Sequence, residues 1–262
     1  MPVRIEVCVD SAVGTWAVER TGADRAELCG ALIVGGLTPS IGTVLAAVSR
    51  VERIGVQVLI RPRDGDFVFS PTEIDVMLAD IERVQRETAG AAVDVGFVIG
   101  ALTDRFEIDR AVTAELATAC GAAPITFHRA FDLTENLDRS LDALIDLGIT
   151  RVLTGGGVQR ALEGAPTLAR LVERAAGRIV VMPGGSVRPD NAAALVAATG
   201  ASELHFRPVT PERNLRPPHR AEVRMSSRHA PDEDHREVTS EPMISEMLAA
   251  VAPLTPEPPS RV

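Results

Sequence analysis

The stretch Pro124-Ile125-Thr126-Phe127-His128-Arg129-Ala130-Phe131-Asp132 combines a short apolar strand with three ionisable side chains. Pro-Ile-Thr-Phe has the composition of a strand, and His128, Arg129 and Asp132 come where that strand would end. An imidazole, a guanidinium and a carboxylate are costly to bury together unless they pair or perform a function. A single stretch of this kind is most simply explained by ion pairing. Several other strands of the chain, however, end in the same way.

Seven other apolar, β-rich runs are separated by segments with helical periodicity. Ser70-Pro71-Thr72-Glu73 is typical of a helix start, and Gly121 and Gly148 fall where predicted helices end. Eight strands roughly 20–40 residues apart favour one closed (β/α)8 barrel, a fold of about 250 residues. A doubly wound open sheet is the alternative, but the eight even units show no break. The predicted strands are Val3–Val9, Arg25–Cys29, Val56–Arg61, Val93–Ile99, Pro124–His128, Arg151–Thr154, Arg178–Met182 and Ser202–Phe206.

The same periodicity sets the domain organisation of the 262-residue chain. We predict a single α/β domain of the TIM-barrel type over residues 1–252. Within it, residues 207–240 are expected to form an irregular excursion, because proline and charged residues replace the apolar pattern. The proline-rich segment 253–262 is predicted to be a flexible tail.

Composition and charge restrict the partners. The net charge of −9 predicts a surface that repels nucleic acid and anionic membranes, so we expect neither as a partner. The sequence shows no leader pattern and no apolar run of membrane-spanning length, and its three cysteines suit free thiols in a reducing compartment. We therefore expect a cytoplasmic protein, and no motif indicates an organic cofactor.

Strand parity predicts which side chains enter the barrel, because successive strand residues face opposite sides. The apolar set of each strand must face the helices, which leaves the polar set facing inward. Barrel interiors are usually branched aliphatic, so ionisable side chains there are unexpected. Mutual ion pairing would explain them, but active sites of this fold also lie where its strands end. The predicted inward residues at the barrel mouth are Glu6, Glu27, Arg61, His128 and His205.

Two glycine-rich turns follow the sixth and seventh strands. They contain Gly155-Gly156 and Gly184-Gly185, and turns of this kind present backbone N–H groups to anions. Tight loops between strands and helices also need glycine for conformational reasons alone. The predicted anion site combines these turns with three nearby guanidinium groups, those of Arg61, Arg63 and Arg129.

Cys8 and Cys29 lie at the ends of neighbouring predicted strands and have the same parity. Adjacent strands are about 4.8 Å apart, so the two thiols are expected to lie together. A pair of soft thiolates suits Cu(I). The alternative is that both cysteines act only as small buried hydrophobic residues.

Seven motifs follow one another along residues 3–206, namely Glu6-Val7-Cys8, Gly22-Ala23-Asp24-Arg25-Ala26-Glu27-Leu28-Cys29, Gly35-Gly36-Leu37-Thr38-Pro39-Ser40, Arg61-Pro62-Arg63, Thr126-Phe127-His128-Arg129-Ala130-Phe131-Asp132, Arg151-Val152-Leu153-Thr154-Gly155-Gly156 and Glu203-Leu204-His205. In content and order they resemble the CutC copper-homeostasis family. The resemblance implies a TIM-type barrel, a cytoplasmic location, a homo-oligomer (dimer or tetramer) and a role in copper handling. It also implies a Cu(I) site at Cys8 and Cys29, which match the cysteine pair proposed to bind Cu(I) in the family.

The sequence departs from the family pattern in the last barrel loops. Gly184-Gly185-Ser186 replaces the usual triple glycine, and Phe206-Arg207 follows His205 where the family has a small residue. Contacts made by these loops are therefore the least transferable.

Two functional hypotheses remain open. The first is a copper-homeostasis protein that binds Cu(I) through Cys8 and Cys29. The second is a barrel enzyme that acts on a small anionic metabolite, such as a phosphorylated one, through Glu27, His128 and Arg61. In both hypotheses Glu6, Asp132 and His205 complete the barrel mouth. A purely structural interaction module would explain none of the inward charges.

Overall fold

The computed structural model describes residues 2–214 and 235–254. Its barrel strands are β1 (Arg4–Val9), β2 (Arg25–Leu28), β3 (Gly55–Leu59), β4 (Val95–Ile99), β5 (Ile125–Phe127), β6 (Arg151–Thr154), β7 (Val180–Pro183) and β8 (Glu203–Phe206). All are parallel and follow chain order, with β8 next to β1. β7 and β8 lie in contact across the remaining seam, so the sheet forms a nearly closed barrel. The predicted (β/α)8 fold is confirmed.

Helices connect the strands and cover the outer face of the barrel. They are α1 (Ala12–Thr21), α2 (Ile41–Val48), α3 (Pro71–Thr88), α4 (Arg110–Cys120), α5 (Leu137–Asp146), α6 (Ala165–Ala175), α7 (Pro189–Thr199) and α8 (Glu241–Val251). The predicted capping box begins α3, where the Glu73 carboxylate accepts the N–H of Ser70 at 2.7 Å. Short 3₁₀ turns at Leu32–Val34 and Arg129–Leu133 shape the loops after β2 and β5. No helix in the described ranges is long and apolar enough to cross a bilayer.

The two parities of β1 have different surroundings. Ile5 and Val7 are completely buried in a continuous apolar cluster that includes Val18 of α1. Burying such side chains stabilises the fold by about 1.5–3 kcal/mol each. Glu6, between them in sequence, is also completely buried but pairs with Arg25 of β2. The apolar set therefore forms the core, and the polar set forms a second, charged interior.

Part of the region predicted to be irregular is regular. β9 (Val209–Arg213) and β10 (His235–Thr239) form an antiparallel pair, supported by an ion pair between Arg236 and Glu212 at 2.8 Å. Sequence periodicity did not indicate these strands because they are largely exposed and charged, and therefore lack alternating apolar residues. The rest of the predicted excursion, 215–234, lies outside the described residues, as does segment 255–262 of the predicted tail.

Candidate functional site

The thiols of Cys8 and Cys29 meet at the C-terminal mouth of the barrel. Cys8 lies in β1 opposite Glu27 of β2, and Cys29 follows β2 directly, with its N–H bonded to the carbonyl of Val9. This register brings the two sulfur atoms to 4.0 Å from each other. Both side chains are buried and both thiols are free.

Glu27 joins the thiol pair from the same strand end. One carboxylate oxygen of Glu27 and the two sulfur atoms all lie within 4.8 Å of one another. His205 of β8 lies beside them, with Nε2 3.7 Å from Oε2 of Glu27. These four residues form a compact buried cluster, called the thiol cluster below.

The electrostatics of the thiol cluster place negative charge on sulfur. The hydrogen bond with Cys29 lowers the pKa of the Cys8 thiol against the effect of burial, and His205 lowers it further. Burial raises the pKa of Glu27, and the charge on Cys8 raises it further. Burial alone would lower the pKa of His205, but the neighbouring carboxylates and Cys8 raise it well above its usual value. The thiolate, which is the form of cysteine that binds metals, is thereby favoured at Cys8.

Below the thiol cluster, a charged network crosses the barrel interior. Arg25 donates to Glu6 and to Glu203, each at 2.5 Å, and Arg151 donates to Glu203 at 2.8 Å and to Thr126 at 2.8 Å. Burial opposes ionisation of Glu6, but Arg25 and His205 hold its pKa well below the usual value. Mutual ion pairing, one of the two interpretations of the inward charges, thus applies to this layer.

A cavity of about 170 Å³ opens beside the thiol cluster. All four residues of the thiol cluster line this cavity. The other lining residues come from β3, β6 and the loops, and they are Leu32, Gly35, Leu59, Arg61, Phe67, His128, Arg129, Ala130 and Leu153. The mouth therefore combines thiols, a carboxyl group, two imidazoles and guanidinium groups around one space.

Comparison with known proteins identifies the family of this barrel. The family model described as "CutC family" matches residues 3–209, which include every barrel strand. The chain belongs to the CutC family. It is 47% identical over 201 residues to the human "Copper homeostasis protein cutC homolog", covering 77% of this chain and 71% of that protein. It is 45% identical to a family protein CutC of Agrobacterium fabrum over 205 residues, which are 78% of this chain and 79% of the relative.

Solved structures agree with the fold. A crystal structure of a CutC protein from Streptococcus agalactiae superposes with a TM-score of 0.72 at 33% identity, covering 78% of this chain and 97% of that one. N-(5'-phosphoribosyl)anthranilate isomerase from Pyrococcus furiosus superposes with a TM-score of 0.53 at 11% identity over 96% of this chain and 100% of that one. The second likeness shows the barrel fold alone.

The first glycine turn of the CutC-family chain is filled by its own carboxylate. Asp132 accepts the N–H of Gly155 at 2.9 Å, the N–H of Gly157 at 3.0 Å and the hydroxyl of Thr154 at 2.5 Å. Arg129 donates to Oδ2 of Asp132 at 2.8 Å, the oxygen that also accepts the N–H of Gly155. Of the groups predicted to bind an external anion, Gly155 and Arg129 bind this internal carboxylate, and Gly156 donates to Thr154 at 2.9 Å.

Close packing explains why glycine occupies two positions of the second glycine turn. A Cβ on Gly184 would come within 2.4 Å of Leu153, and a Cβ on Gly185, whose φ is 113°, would come within 3.0 Å of an Arg129 nitrogen. The N–H of Gly184 donates to the carbonyl of Thr154 at 2.9 Å. Both glycines lie beside the mouth, where an anion-binding role stays a prediction.

Arg63 is not brought to the cavity. Its guanidinium pairs with Glu73 at 2.5 Å and with Asp66 at 2.9 Å, and it stacks over Phe69 at 5.3 Å. Its sequence neighbour two positions earlier, Arg61, does line the cavity. Parity placed both residues on one side, but beyond the end of β3 the loop geometry and local acids decide the outcome.

Sequence reasoning missed Gln57 and Arg151 as interior residues, and it left Arg25 and Glu203 out of the barrel-mouth set. All four are buried. Arg151 is the first residue of β6, so a signal existed in the same parity rule that selected Glu6. Its role depends on its ion pair with Glu203 of β8, and sequence patterns do not reveal which inward residues come into contact.

Proposed function

We propose that this CutC-family chain takes part in copper homeostasis by binding Cu(I) through Cys8 and Cys29. The observation that carries the proposal is the 4.0 Å separation of the two buried sulfur atoms. Two sulfur atoms that share one ion through bonds of about 2.3 Å cannot lie more than about 4.6 Å apart, and this pair satisfies that limit. The residues present therefore fit a soft, thiolate-bound ion.

Each member of the thiol cluster has a part in this proposal. Cys8 and Cys29 hold the ion, and Glu27 lies close enough to contribute an oxygen. His205 supplies positive charge that favours the thiolate of Cys8. A cytoplasmic location and a homo-oligomeric state, which the family resemblance implies, remain proposals.

Anaerobic competition against a chromophoric Cu(I) chelator tests the metal site. The double variant Cys8→Ser/Cys29→Ser is expected to lose tight Cu(I) binding. Cys120 supplies the matched control, because it is also buried and free but lies at the end of α4. Cys120→Ser should bind as the wild type does. Equal affinity of the double variant and the wild type would place the copper elsewhere.

A second candidate function is catalysis on a small anionic metabolite. It is supported by the position of Glu27, His128 and Arg61 around one cavity at the end of the barrel where active sites of this fold lie. Burial raises the pKa of Glu27 above that of an ordinary carboxyl group, which is the direction that a general acid requires. A thermal-shift screen of phosphorylated sugars and small carboxylates, followed by assays of consumption, tests this candidate.

A further inference from the structure

The imidazole of His128 presents an unused hydrogen-bond donor. Its Nδ1 accepts the backbone N–H of Ala130 at 3.2 Å, so Nδ1 carries no proton and the neutral ring carries its proton on Nε2. The side chain is 7% exposed, and Nε2 has no partner among the residues that the structure describes. Burial, with Arg61 nearby, lowers the pKa of His128 to about 3, which keeps the ring neutral at physiological pH.

Arg61 is a buried cation whose hydrogen-bond acceptors in the described ranges are backbone carbonyls. Its terminal nitrogens donate to the carbonyls of Gly36 at 3.1 Å and Gly65 at 2.8 Å, while Nε has no partner in the described ranges. No carboxylate of those ranges lies within ion-pair distance of this guanidinium, which is 6% exposed as a residue, and Asp64 favours its charged form only from farther away. Arg129 and Arg63, by contrast, each pair with acids. A buried charge without a direct ion-pair partner is costly, so an anion in contact with Arg61 would stabilise the protein.

Both donors belong to one rigid wall of the cavity. Phe67 packs against each, with Cζ of Arg61 4.6 Å from its ring centroid and the ring of His128 4.9 Å from it. Gly100, after β4, makes room for the imidazole, since a Cβ there would come within 2.3 Å of the ring. The sequence therefore fixes this wall by packing rather than by ion pairs.

We propose that Arg61 and His128 form a subsite that binds the carboxylate of a small organic acid. Two unsatisfied donors match the two oxygen atoms of a carboxylate, whereas a phosphate group has three strong acceptor oxygens to satisfy. The backbone donors of the first glycine turn, which a phosphate would need, are held by Asp132. This inference deepens the second candidate function by naming its substrate class.

The size and lining of the cavity limit the carbon chain of the organic acid that could bind there. A cavity of about 150 Å³ accommodates a ring of six carbon atoms. The cavity of about 170 Å³ here therefore suits an acid of three or four carbons, because its oxygen atoms also occupy space. Leu32, Leu59 and Leu153 offer apolar contacts to its carbon atoms. Glu27 and His205, on the thiol side of the same cavity, would face the end of the acid remote from its carboxylate.

Calorimetric titration of the metal-free, reduced protein with sodium pyruvate tests the subsite. Titrations with sodium chloride and with inorganic phosphate at matched ionic strength serve as comparisons. Pyruvate is expected to bind, and phosphate to bind more weakly. Arg61→Met should weaken pyruvate binding roughly tenfold or more, and His128→Phe roughly threefold or more, since a charged donor contributes more than a neutral one. Arg63→Met removes an equal charge from the same loop but should leave pyruvate binding unchanged, because its guanidinium is committed to Glu73 and Asp66.

A wild-type measurement keeps the test decisive if a variant fails to fold. In ¹⁵N-histidine spectra, His128 should keep one neutral tautomer from pH 5 to pH 8, and pyruvate should shift its Nε2 resonance. The subsite would be overturned if pyruvate did not bind or did not shift the Nε2 resonance. It would also be overturned if phosphate bound more tightly than pyruvate, or if Arg63→Met weakened pyruvate binding as much as Arg61→Met does. Cu(I) competition on the same preparation separates the proposals, because failure of pyruvate leaves the thiol pair untouched. Pyruvate binding without any turnover supports the subsite and contradicts only catalysis on this acid.

Discussion

Nδ1 of His205 lies 2.8 Å from Oε1 of Glu6, and this contact joins the thiol cluster to the charged network inside the barrel. Glu6 accepts from Arg25 through its other oxygen at 2.5 Å, and Arg25 also pairs with Glu203. His205 of the thiol cluster is therefore oriented by a buried ion network, whereas Cys8 and Cys29 pack against Leu59 and Leu32. Any change in that network should reach the mouth through His205.

We predict that Glu6→Gln destabilises the barrel by about 3–5 kcal/mol, because it leaves the charge of Arg25 only half compensated in a buried position. Urea unfolding followed by circular dichroism measures the change. The control is Glu212→Gln, which breaks the exposed pair with Arg236 and should cost at most about 1 kcal/mol. Equal costs for the two substitutions would mean that the interior network contributes no more than a surface ion pair.

The metal site should depend on both thiols together. Cys8→Ser and Cys29→Ser are each expected to weaken Cu(I) binding about 100-fold or more, because a single sulfur cannot hold a soft ion in a site otherwise lined by a carboxyl group and an imidazole. X-ray absorption at the copper edge should show two sulfur neighbours in the wild type. One sulfur neighbour, or a single variant that retains wild-type affinity, would contradict the paired site.

The barrel and the thiol pair could be predicted from sequence because both follow from periodicity. Eight evenly spaced strands specify closure, and matched parity at adjacent strand ends brings Cys8 and Cys29 together whatever the details of packing. The partners of the inward charges could not be predicted. Arg151 reaches Glu203, 52 residues later, only because barrel closure places β8 two strand positions from β6, beyond β7.

Loop residues were the least predictable, since local acids compete for the same guanidinium groups. Arg61 and Arg63 have the same parity, yet Arg63 turns to Glu73 while Arg61 lines the cavity. Asp132 could be recognised as a mouth residue, but its position within the glycine turn depends on the 3₁₀ turn that carries it. Sequence patterns indicate which residues gather at the mouth, and the described contacts show which of them stay available.

Removing Asp132 should convert the first glycine turn into an anion site. Asp132→Ala is expected to destabilise the protein by at least about 2 kcal/mol, because the N–H groups of Gly155 and Gly157 and the guanidinium of Arg129 lose a charged acceptor. Inorganic phosphate should then raise the melting temperature of this variant more than that of the wild type.

The matched control for this experiment is Asp142→Ala, which removes a half-exposed carboxylate paired with Arg174 on the outer helices. Phosphate should affect the control and the wild type alike. A similar response in all three proteins would mean that phosphate acts on the surface in general and that the glycine turn has no affinity for it.

His128 should make stability fall as the solution becomes acidic. Its pKa is about 3 in the folded protein against 6.5 for an ordinary histidine. Below pH 6.5 the imidazole is therefore protonated in the unfolded chain but stays neutral in the folded protein. Stability is thus present above pH 6.5 and is lost with a slope of about 1.4 kcal/mol per pH unit as pH falls toward 3. Between pH 6.5 and pH 5, His128→Gln should lose about 2 kcal/mol less than the wild type, measured by urea unfolding at each pH. Parallel curves for the wild type and His128→Gln would show that the imidazole is already protonated or solvated in the folded state, which would also remove the neutral donor from the proposed carboxylate subsite.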